Sequence, residues 1–380
     1  MRKIVRNVIM LLVCLCMFFP HLVYGSSMEN VDLQSAILQT AESLQKVAGH
    51  TGKHLLKDRE YIAAGSSHSD WIAMTLALSG TEDAYEVYRK RLKKHVIEKY
   101  EQEGCLDAYK ATEYHRIALT MLSLGEEPQN IENAGNVIDL IADGTYNFHG
   151  DSLDLQGANG VIYALLTLDA KHYEIPENAK FTREDMRITL LKYQCADGGF
   201  ALMGNISGDV GITAMALQAL APYREDEEIL LSIERALNWL SKQRMENAES
   251  TAQTILALCA LGIDIETDER FTKNGQSLLG ELNRFRMKNG MYMHDESSGE
   301  ENIVATFQSL LAMEALYAQR TQGTWIFDFA EYQLQIKENY WQKGIWAAGI
   351  LLTGLLAVKA AFIIRKRTTD KKGEKNARNH

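Results

Sequence analysis

Polar, acidic and aromatic residues recur where the most apolar stretches of this sequence begin. Together they offer carboxylate, amide, hydroxyl, imidazole and guanidinium groups, a mixture typical of a pocket that orients a ligand through a few polar contacts. The starts of helices add unpaired backbone N–H groups, which attract anions and carbonyl oxygens. This predicted ligand-binding rim consists of Asp70, Trp71, Tyr114, His115, Arg116, Gln156, Asn159, Asp209, Thr213, Glu249, Gln253, Asn302 and Thr306.

The carboxylates at these helix starts have two interpretations. Asp70, Glu113, Asp209 and Glu249 are placed to accept hydrogen bonds from the first backbone N–H groups of a helix and to complement its dipole. Carboxylates that face one another across a cavity also serve as the acid and the base of glycan hydrolysis. Both interpretations stay open, because the sequence does not give the distances between these groups.

Two further pairs of residues suggest chemistry. His115 and Arg116 suit an anionic ligand, since guanidinium binds carboxylate or phosphate through two parallel hydrogen bonds, but a salt bridge to Glu113 or to a neighbouring helix would use the same group. His50 and His54 have the spacing that puts two imidazoles on one face of a helix. The glycines beside them favour a loop instead, so we predict no metal site there.

Two kinds of predicted helix alternate along the chain. The amphipathic ones carry one apolar stripe, whereas the others are apolar on nearly every face, which indicates burial on both sides. Repetition at about 40 to 50 residues is typical of stacked helical hairpins, either in an open solenoid or in a closed ring. We predict apolar helices at residues 71–78, 114–124, 157–168, 210–220, 251–261 and 303–317, and amphipathic ones at 28–48, 81–103, 131–142, 182–193, 226–244 and 268–287.

A glycine-rich corner precedes the apolar helix at 210–220. Gln194 leads into it, and residues 197–200 read Asp-Gly-Gly-Phe, in which glycine permits the positive φ of a tight turn. Similar corners are predicted at residues 143–146 and 289–292. The corner near 245–247 has lost its glycine pair.

Gln194, Asp197, Gly198, Gly199 and Phe200, followed by the pattern GD-x-x-x-TA-x-A-x-x-AL from Gly208 to Leu220, carry a resemblance to a known family. This stretch resembles the repeat of the terpenoid-cyclase and protein-prenyltransferase superfamily, the α/α-toroid proteins. The resemblance implies an all-α fold, an (α/α)6 toroid of six inner and six outer helices over residues 28–318. In such a ring the apolar helices start on one side, and the rim residues converge on one funnel.

The enzymatic motifs of that superfamily are absent from the sequence. It contains no D-x-D-D of the terpene cyclases, no D-x-C of the zinc-dependent prenyltransferases and no CGEQ of the thioester proteins. The superfamily also includes cobalamin carriers and protein-binding modules, and the resemblance is closest to surface proteins of Gram-positive bacteria with prenyltransferase-like repeats. The carriers often continue into a small β domain that is missing here, so a cobalamin-type ligand would need a partner protein to enclose it.

Both ends of the chain carry membrane-targeting patterns. Residues 1–26 combine basic residues, an apolar run and small residues, which is typical of a cleaved secretory signal. A second apolar run at 344–364 is long enough to span a bilayer. Basic residues follow at once in the tail, 365–380, which predicts a cytoplasmic carboxyl end and an extracellular domain.

Residues 319–343 join the helical region to the predicted membrane helix. This segment is rich in aromatic residues, and Phe327, Ala330 and Leu334 are spaced like one face of a helix. We predict that this face packs on the last helical unit rather than along the membrane surface.

The composition limits the partners of this chain. Its formal net charge is −10, and because bases are concentrated at both ends the central region is more acidic still. Such a region repels nucleic acid. Cys105, Cys195 and Cys259, which follow the signal, are scattered, and their spacing indicates neither a zinc site nor a disulfide framework.

These observations lead to one principal prediction. We expect a single-pass protein of the cell membrane whose extracellular domain binds a small molecule or a partner protein without catalysis and without a resident cofactor. The alternative is a toroid enzyme that uses the rim carboxylates, either a relative of the terpene cyclases and prenyltransferases or a glycan-active protein.

Overall fold

The computed structural model describes residues 24–50, 54–273 and 276–334, and this part of the protein is mostly α-helical. The all-α prediction is confirmed there. None of its helices is both long and apolar enough to cross a membrane. The predicted membrane helix at 344–364 and nearly all of the predicted signal lie outside the described residues. The helices are α1 (Tyr24–Leu44), α2 (Ser67–Ser79), α3 (Tyr85–Glu103), α4 (Ala111–Ser123), α5 (Leu140–Gly144), α6 (Ala158–Asp169), α7 (Arg183–Leu191), α8 (Val210–Leu220), α9 (Glu227–Leu240), α10 (Ala248–Leu261), α11 (Leu278–Asn283) and α12 (Ile303–Gln322).

The even-numbered helices contact one another in chain order. Helix α2 contacts α4, α4 contacts α6, α6 contacts α8, α8 contacts α10, α10 contacts α12, and α12 contacts α2. The odd-numbered helices pack against this series: α3 against α2 and α4, α5 against α4 and α6, and α7, α9 and α11 against α6, α8 and α10 respectively. Helix α1 contacts both α2 and α12.

The two groups of helices differ in burial as their sequences predict. The even-numbered helices are buried on most faces, whereas α9 is buried along one stripe. That stripe consists of Ile229, Ile233, Leu237 and Leu240, none more than 2% exposed. Burying a side chain of this size contributes roughly 1.5–3 kcal/mol relative to leaving it in water. The alternation of helix types therefore reflects an inner and an outer packing position.

Polar side chains begin several helices where the sequence places them. Thr182 and Asp185 form the predicted capping box at the start of α7. Asp209 and Asn302 cap α8 and α12, and each accepts a hydrogen bond from the backbone N–H three residues later, at 2.9 Å and 3.0 Å. Each such cap stabilises its helix by about 1 kcal/mol.

The prediction of one helix at residues 131–142 is wrong. Two short strands, β1 (Ile131–Asn133) and β2 (Asn136–Ile138), pair antiparallel there, and α5 follows them. Ala134 and Gly135 both have positive φ, 48° and 90°, as the commonest two-residue hairpin turns require. The turn and the β-branched residues around it outweigh the helical spacing of the apolar residues.

Two other predictions of local structure also fail. Of the helix predicted at 268–287, only α11 forms, because Asp268 binds the N–H of Arg270 and favours a turn, and Ser277 caps the start of α11. The corner predicted at 143–146 is instead the end of α5 and the turn after it.

The corner at 197–200 has the predicted tight geometry. Phe200 forms β-bridges with both Gln194 and Asp209, which joins the two helices that flank the corner. Asp197 accepts a hydrogen bond from the N–H of Gly199, and Gly198 has φ +103°. The corner at 289–292 repeats the bridges with Arg286, Tyr292 and Asn302.

The end segment, residues 323–334, packs on the helices without being helical. Gly323 has φ +69° and ends α12, so the predicted helix face of Phe327, Ala330 and Leu334 does not form. Phe327 and Phe329 are nevertheless only 3% exposed. The N–H of Phe329 donates to the carbonyl of Ala170, just after α6, at 2.6 Å.

Candidate functional site

A cavity of about 180 Å³ lies among the even-numbered helices. Five of these helices and the end segment contribute to its wall. The residues that line it are Ser67, His68, Trp71, Tyr163, Gln218, Gln253, Leu256, Val304, Phe307, Gln308, Leu311 and Phe327. We call this the central cavity.

Three glutamines on three different helices form a hydrogen-bonded chain on its wall. The amide nitrogen of Gln218 donates to the side-chain oxygen of Gln253 at 2.9 Å. The amide nitrogen of Gln253 in turn donates to the side-chain oxygen of Gln308 at 3.2 Å. The chain fixes the orientation of all three amides. It leaves the nitrogen of Gln308 as a donor at one end and the oxygen of Gln218 as an acceptor at the other.

Aromatic rings form much of the remaining wall. The rings of Trp71 and Tyr163 lie 6.0 Å apart at 58°, a tilted arrangement typical of favourable aromatic pairs. Burial raises the pKa of Tyr163 to about 12, so its hydroxyl is neutral at pH 7. Phe307 and Phe327 add two further rings. The wall therefore favours flat apolar groups.

The wall of the central cavity reaches the surface at the start of α2. Ser67 and His68 are exposed there, whereas Leu256, Phe307 and Leu311 deeper in the wall are buried. Among the described residues that line it there is no Asp, Glu, Lys or Arg. A ligand that enters there meets amides, hydroxyls and rings rather than formal charges.

A second cavity of about 170 Å³ lies at the opposite ends of α6, α8 and α10. We call this the end cavity. Apolar residues and the end segment form most of its wall, with Arg224, His172 and Asp328 exposed at its edge. The residues that line it are Leu166, Asp169, Ala170, His172, Gln218, Ala221, Pro222, Arg224, Ala260, Trp325, Phe327 and Asp328.

Of the predicted rim, only Trp71 and Gln253 line the central cavity. The convergence of the whole rim on one funnel is therefore not what the structure shows. Most of the remaining rim residues make local contacts that hold the helices and their loops together.

Asp70 and Arg116 form a buried ion pair instead of a ligand site. The Arg116 Nε–H donates to Asp70 at 2.9 Å, and its two terminal nitrogens donate to Glu113 at 2.8 and 2.7 Å. Tyr88 O–H and Gly65 N–H donate to the other oxygen of Asp70, at 2.6 and 3.0 Å. Burial raises the pKa of Asp70 above its usual range, against the lowering effect of Arg116. This cluster links α2, α3 and α4.

Asp70, Glu113 and Glu249 are not N-caps, contrary to one of the two interpretations. Helices α2, α4 and α10 begin before them, so these carboxylates lie within the first turn. Glu249 accepts hydrogen bonds from His294 at 2.9 and 3.0 Å, and this contact raises the pKa of His294. Asp209 alone among the four is an N-cap.

The hydroxyl-bearing rim residues hold the two corners. Thr213 accepts a hydrogen bond from the N–H of Phe200 at 2.8 Å, and Thr306 accepts one from the N–H of Tyr292 at 2.9 Å. Gln156 accepts a hydrogen bond from the hydroxyl of Thr112 at 2.7 Å. These three side chains therefore stabilise loops rather than face a ligand.

Tyr114, which is buried, and Asn159, which is half-buried, lie at helix starts and line neither cavity. The hydroxyl of Tyr114 accepts a hydrogen bond from the N–H of Leu106 at 3.1 Å and donates to the carbonyl of Asp107 at 3.2 Å. The side-chain oxygen of Asn159 is buried and has no hydrogen-bond partner among the described residues.

His115 is fully buried, and its ring is held in one tautomer. The Nε2–H donates to the carbonyl of Gly144 at 2.5 Å, while Nδ1 has no partner in the described part of the chain. Burial lowers the pKa of His115 from 6.5 to about 4. The imidazole is neutral at pH 7 and is not a cationic partner for an anionic ligand.

The buried His115 makes stability depend on pH. Its folded pKa is the lower one, so below pH 6.5 the unfolded chain binds the extra proton and stability falls as pH falls. Between pH 7 and pH 5 this residue alone costs about 2 kcal/mol of the free energy of unfolding. We expect His115→Gln, whose amide also donates to Gly144, to remove that part of the loss. Urea unfolding at both pH values measures it, and equal losses in wild type and variant would contradict the assignment.

The described residues contain no group of three or more His, Cys, Asp or Glu side chains that could hold a metal ion. Cys105, Cys195 and Cys259 are free thiols. His50 lies in a loop after a short 3-10 turn, and it hydrogen-bonds Asp58 rather than His54.

Sequence reasoning missed most of the central cavity. Tyr163, Gln218, Gln308 and Phe327 line it without having been predicted. The available signal is that Gln218, Gln253 and Gln308 are long polar side chains inside runs that are otherwise apolar or small. A polar side chain at such a position needs a partner, which points to an internal polar feature.

In its described part this is an all-α protein, and the described lining of its central cavity carries no Asp, Glu, Lys or Arg. No protein-family model, no curated protein and no solved structure matches the chain.

Proposed function

We propose that the helical region is an (α/α)6 toroid, with the even-numbered helices as its inner ring. The support is the contact order of these helices, which returns from α12 to α2. An open solenoid would leave α2 and α12 without a mutual contact. The resemblance of the corner at 197–200 to the toroid repeat supports the same architecture.

We propose that this toroid binds a small neutral ligand in the central cavity, one flat ring that carries an amide or a similar donor–acceptor group. The observation that carries the proposal is the glutamine chain, which offers fixed polar contacts beside aromatic walls. Pockets for small molecules combine mainly apolar walls with a few oriented polar groups in this way.

The size of the cavity limits the ligand to about one ring. An apolar cavity of about 150 Å³ holds one benzene molecule. At about 180 Å³ the central cavity accommodates a ring with a small substituent. This volume gives no support to a cobalamin-type ligand.

Binding without catalysis remains the proposal, because the rim carboxylates have structural partners. Asp70 and Glu113 are paired with Arg116, Asp209 caps α8, and Glu249 binds His294. An enzyme that used them as acid and base would have to break these contacts. The placement of the domain outside the cell, on a single-pass anchor, rests on the sequence patterns at 1–26 and 344–364.

The ligand proposal is tested with benzamide, which has a ring and an amide, and with toluene, which has the ring alone. Gln253→Met keeps the volume but removes the middle of the glutamine chain. The amides of Gln218 and Gln308 then lose the contact that orients them, and we expect the affinity for benzamide to fall about 5- to 10-fold, roughly the contribution of one neutral hydrogen bond. The affinity for toluene should change by less than about 2-fold. Titration calorimetry on the full-length chain measures both.

Gln243→Met is the matched control for this experiment. Gln243 is half-buried and hydrogen-bonds the backbone of Trp239, but it lines neither cavity. Its replacement should leave both affinities unchanged. Failure of the wild-type protein to bind benzamide or toluene, or an equal loss in the two variants, would contradict the proposal.

A further inference from the structure

The central and end cavities lie one behind the other along the inner helices. On α6 the wall of the central cavity includes Tyr163, and the wall of the end cavity includes Leu166, about one turn further along. On α10 the same progression runs from Gln253 to Ala260. The two cavities therefore follow a common direction, from the starts of these helices toward their ends.

Of the residues that the structure describes, Gln218 and Phe327 alone line both cavities. Gln218 belongs to a helix and is held by its hydrogen bond to Gln253. Phe327 belongs to the non-helical end segment and contributes to the walls of both cavities. The boundary between them thus depends on one residue that is outside the helices.

The Phe327 ring is held firmly at this boundary. It is only 3% exposed, and the ring of Trp325 meets it edge-to-face at a centroid distance of 5.4 Å and an angle of 88°. Two residues later, the N–H of Phe329 fastens the segment to the carbonyl of Ala170 at 2.6 Å. These contacts keep the ring between the cavities.

We propose that Phe327 is the specificity-determining wall that limits the length of the ligand in the central cavity. The inference rests on the proposed binding function and adds which residue sets the size of the ligand. The two cavities are nearly equal in volume, so a variant in which loss of the ring joins them offers a ligand about twice the space.

The end cavity also defines which longer ligands would fit. Leu166, Ala221 and Ala260 provide an apolar wall, which suits an alkyl chain. The guanidinium of Arg224 is at the edge and makes no hydrogen bond or ion pair with the described residues. A ring amide with an alkyl extension is therefore the probe that follows from the geometry.

The experiment compares benzamide with 4-pentylbenzamide on the full-length chain by titration calorimetry. Wild type should bind benzamide. Its affinity for 4-pentylbenzamide should be at least about 10-fold lower than that of Phe327→Ala, because a methylene of the pentyl chain adds to affinity only where there is space to bury it. Affinity for benzamide should differ by less than about 3-fold between the two proteins.

Phe329→Ala is a closely matched control. Phe329 lies in the same segment, is also 3% exposed, and has its own edge-to-face partner in Tyr332 at 5.2 Å and 87°, but it lines neither cavity. If loosening of the segment were enough to admit the longer ligand, both variants would gain affinity for 4-pentylbenzamide equally. That result overturns the proposal. A gain confined to Phe327→Ala supports it.

Two additional measurements keep the proposal decidable. Phe327→Leu removes less packing and serves if Phe327→Ala does not fold. It should show a smaller gain in affinity for 4-pentylbenzamide. If benzamide binds none of the proteins, the proposed function fails, but crystals of the wild type and the variant under xenon pressure still test the wall. Xenon sites that run continuously from one cavity to the other in the variant support the proposal that Phe327 is the wall. Two separate groups of sites in both proteins overturn it.

Discussion

Replacing Arg116 with methionine is expected to lower the free energy of unfolding by about 3–5 kcal/mol, because it leaves the other member of a buried ion pair without its partner. Asp70 is fully buried, and Arg116 is only 6% exposed. Methionine has about the length of the arginine stem but no donor, so the Asp70 carboxylate keeps only its bonds from Tyr88 and Gly65. Urea unfolding at pH 7, where the pair is intact, measures the loss.

Arg270→Met is the comparison for this variant. Arg270 also binds a carboxylate through more than one nitrogen, that of Asp268, but its side chain is 39% exposed. Losing this ion pair should lower the free energy of unfolding by less than about 1 kcal/mol, since solvent screens exposed ion pairs. The double variant Asp70→Asn with Arg116→Met should recover part of the stability, because a neutral amide replaces the unpaired charge. A loss below about 1 kcal/mol in Arg116→Met would contradict the buried-pair interpretation.

Gly157→Ala is the second change with a large expected effect. It should lower the free energy of unfolding by about 3 kcal/mol or more. Gly157 stands just before α6 with φ 72° and ψ −157°, a conformation that is nearly exclusive to glycine. An added Cβ would also overlap the carbonyl oxygen of Leu202, which accepts a hydrogen bond from the N–H of Ala158 at 2.9 Å. The methyl group must therefore displace the loop that follows the 197–200 corner. Thermal or urea unfolding measures the cost.

Gly125→Ala is the comparison that lacks the steric contact. Gly125 also has positive φ, +76°, but nothing lies within 4 Å of an added Cβ. Its cost should be about 1 kcal/mol, the strain of a left-handed backbone alone. If the two glycine variants lose equal stability, the contact with Leu202 contributes nothing and the steric part of the argument is wrong.

The features that the sequence predicted well are local. The alternation of apolar and amphipathic helices, the capping box of Thr182 and Asp185 and the corners at 197–200 and 289–292 each depend on residues close in the chain. The hairpin at β1 and β2 was missed because its apolar residues also fit a helical spacing, and a two-residue turn decided between the two structures.

The central cavity could not be predicted in the same way. Gln218, Gln253 and Gln308 belong to α8, α10 and α12, and their hydrogen-bonded chain exists only once these helices are adjacent. Most rim residues lie outside the wall of this cavity for a different reason. Their position at helix starts was correct, but the direction of a side chain there depends on its partners, as the pairing of Asp70 with Arg116 shows.

The contacts of α12 affect how the described part of the chain comes apart. Helix α12, the last long helix, contacts the first two helices, α1 and α2. Residues far apart in sequence therefore protect each other's backbone from solvent. A linear stack of repeats frays from whichever end is weaker, whereas here detaching either terminal helix uncovers the other. Opening is therefore expected to involve both ends together as one cooperative unit.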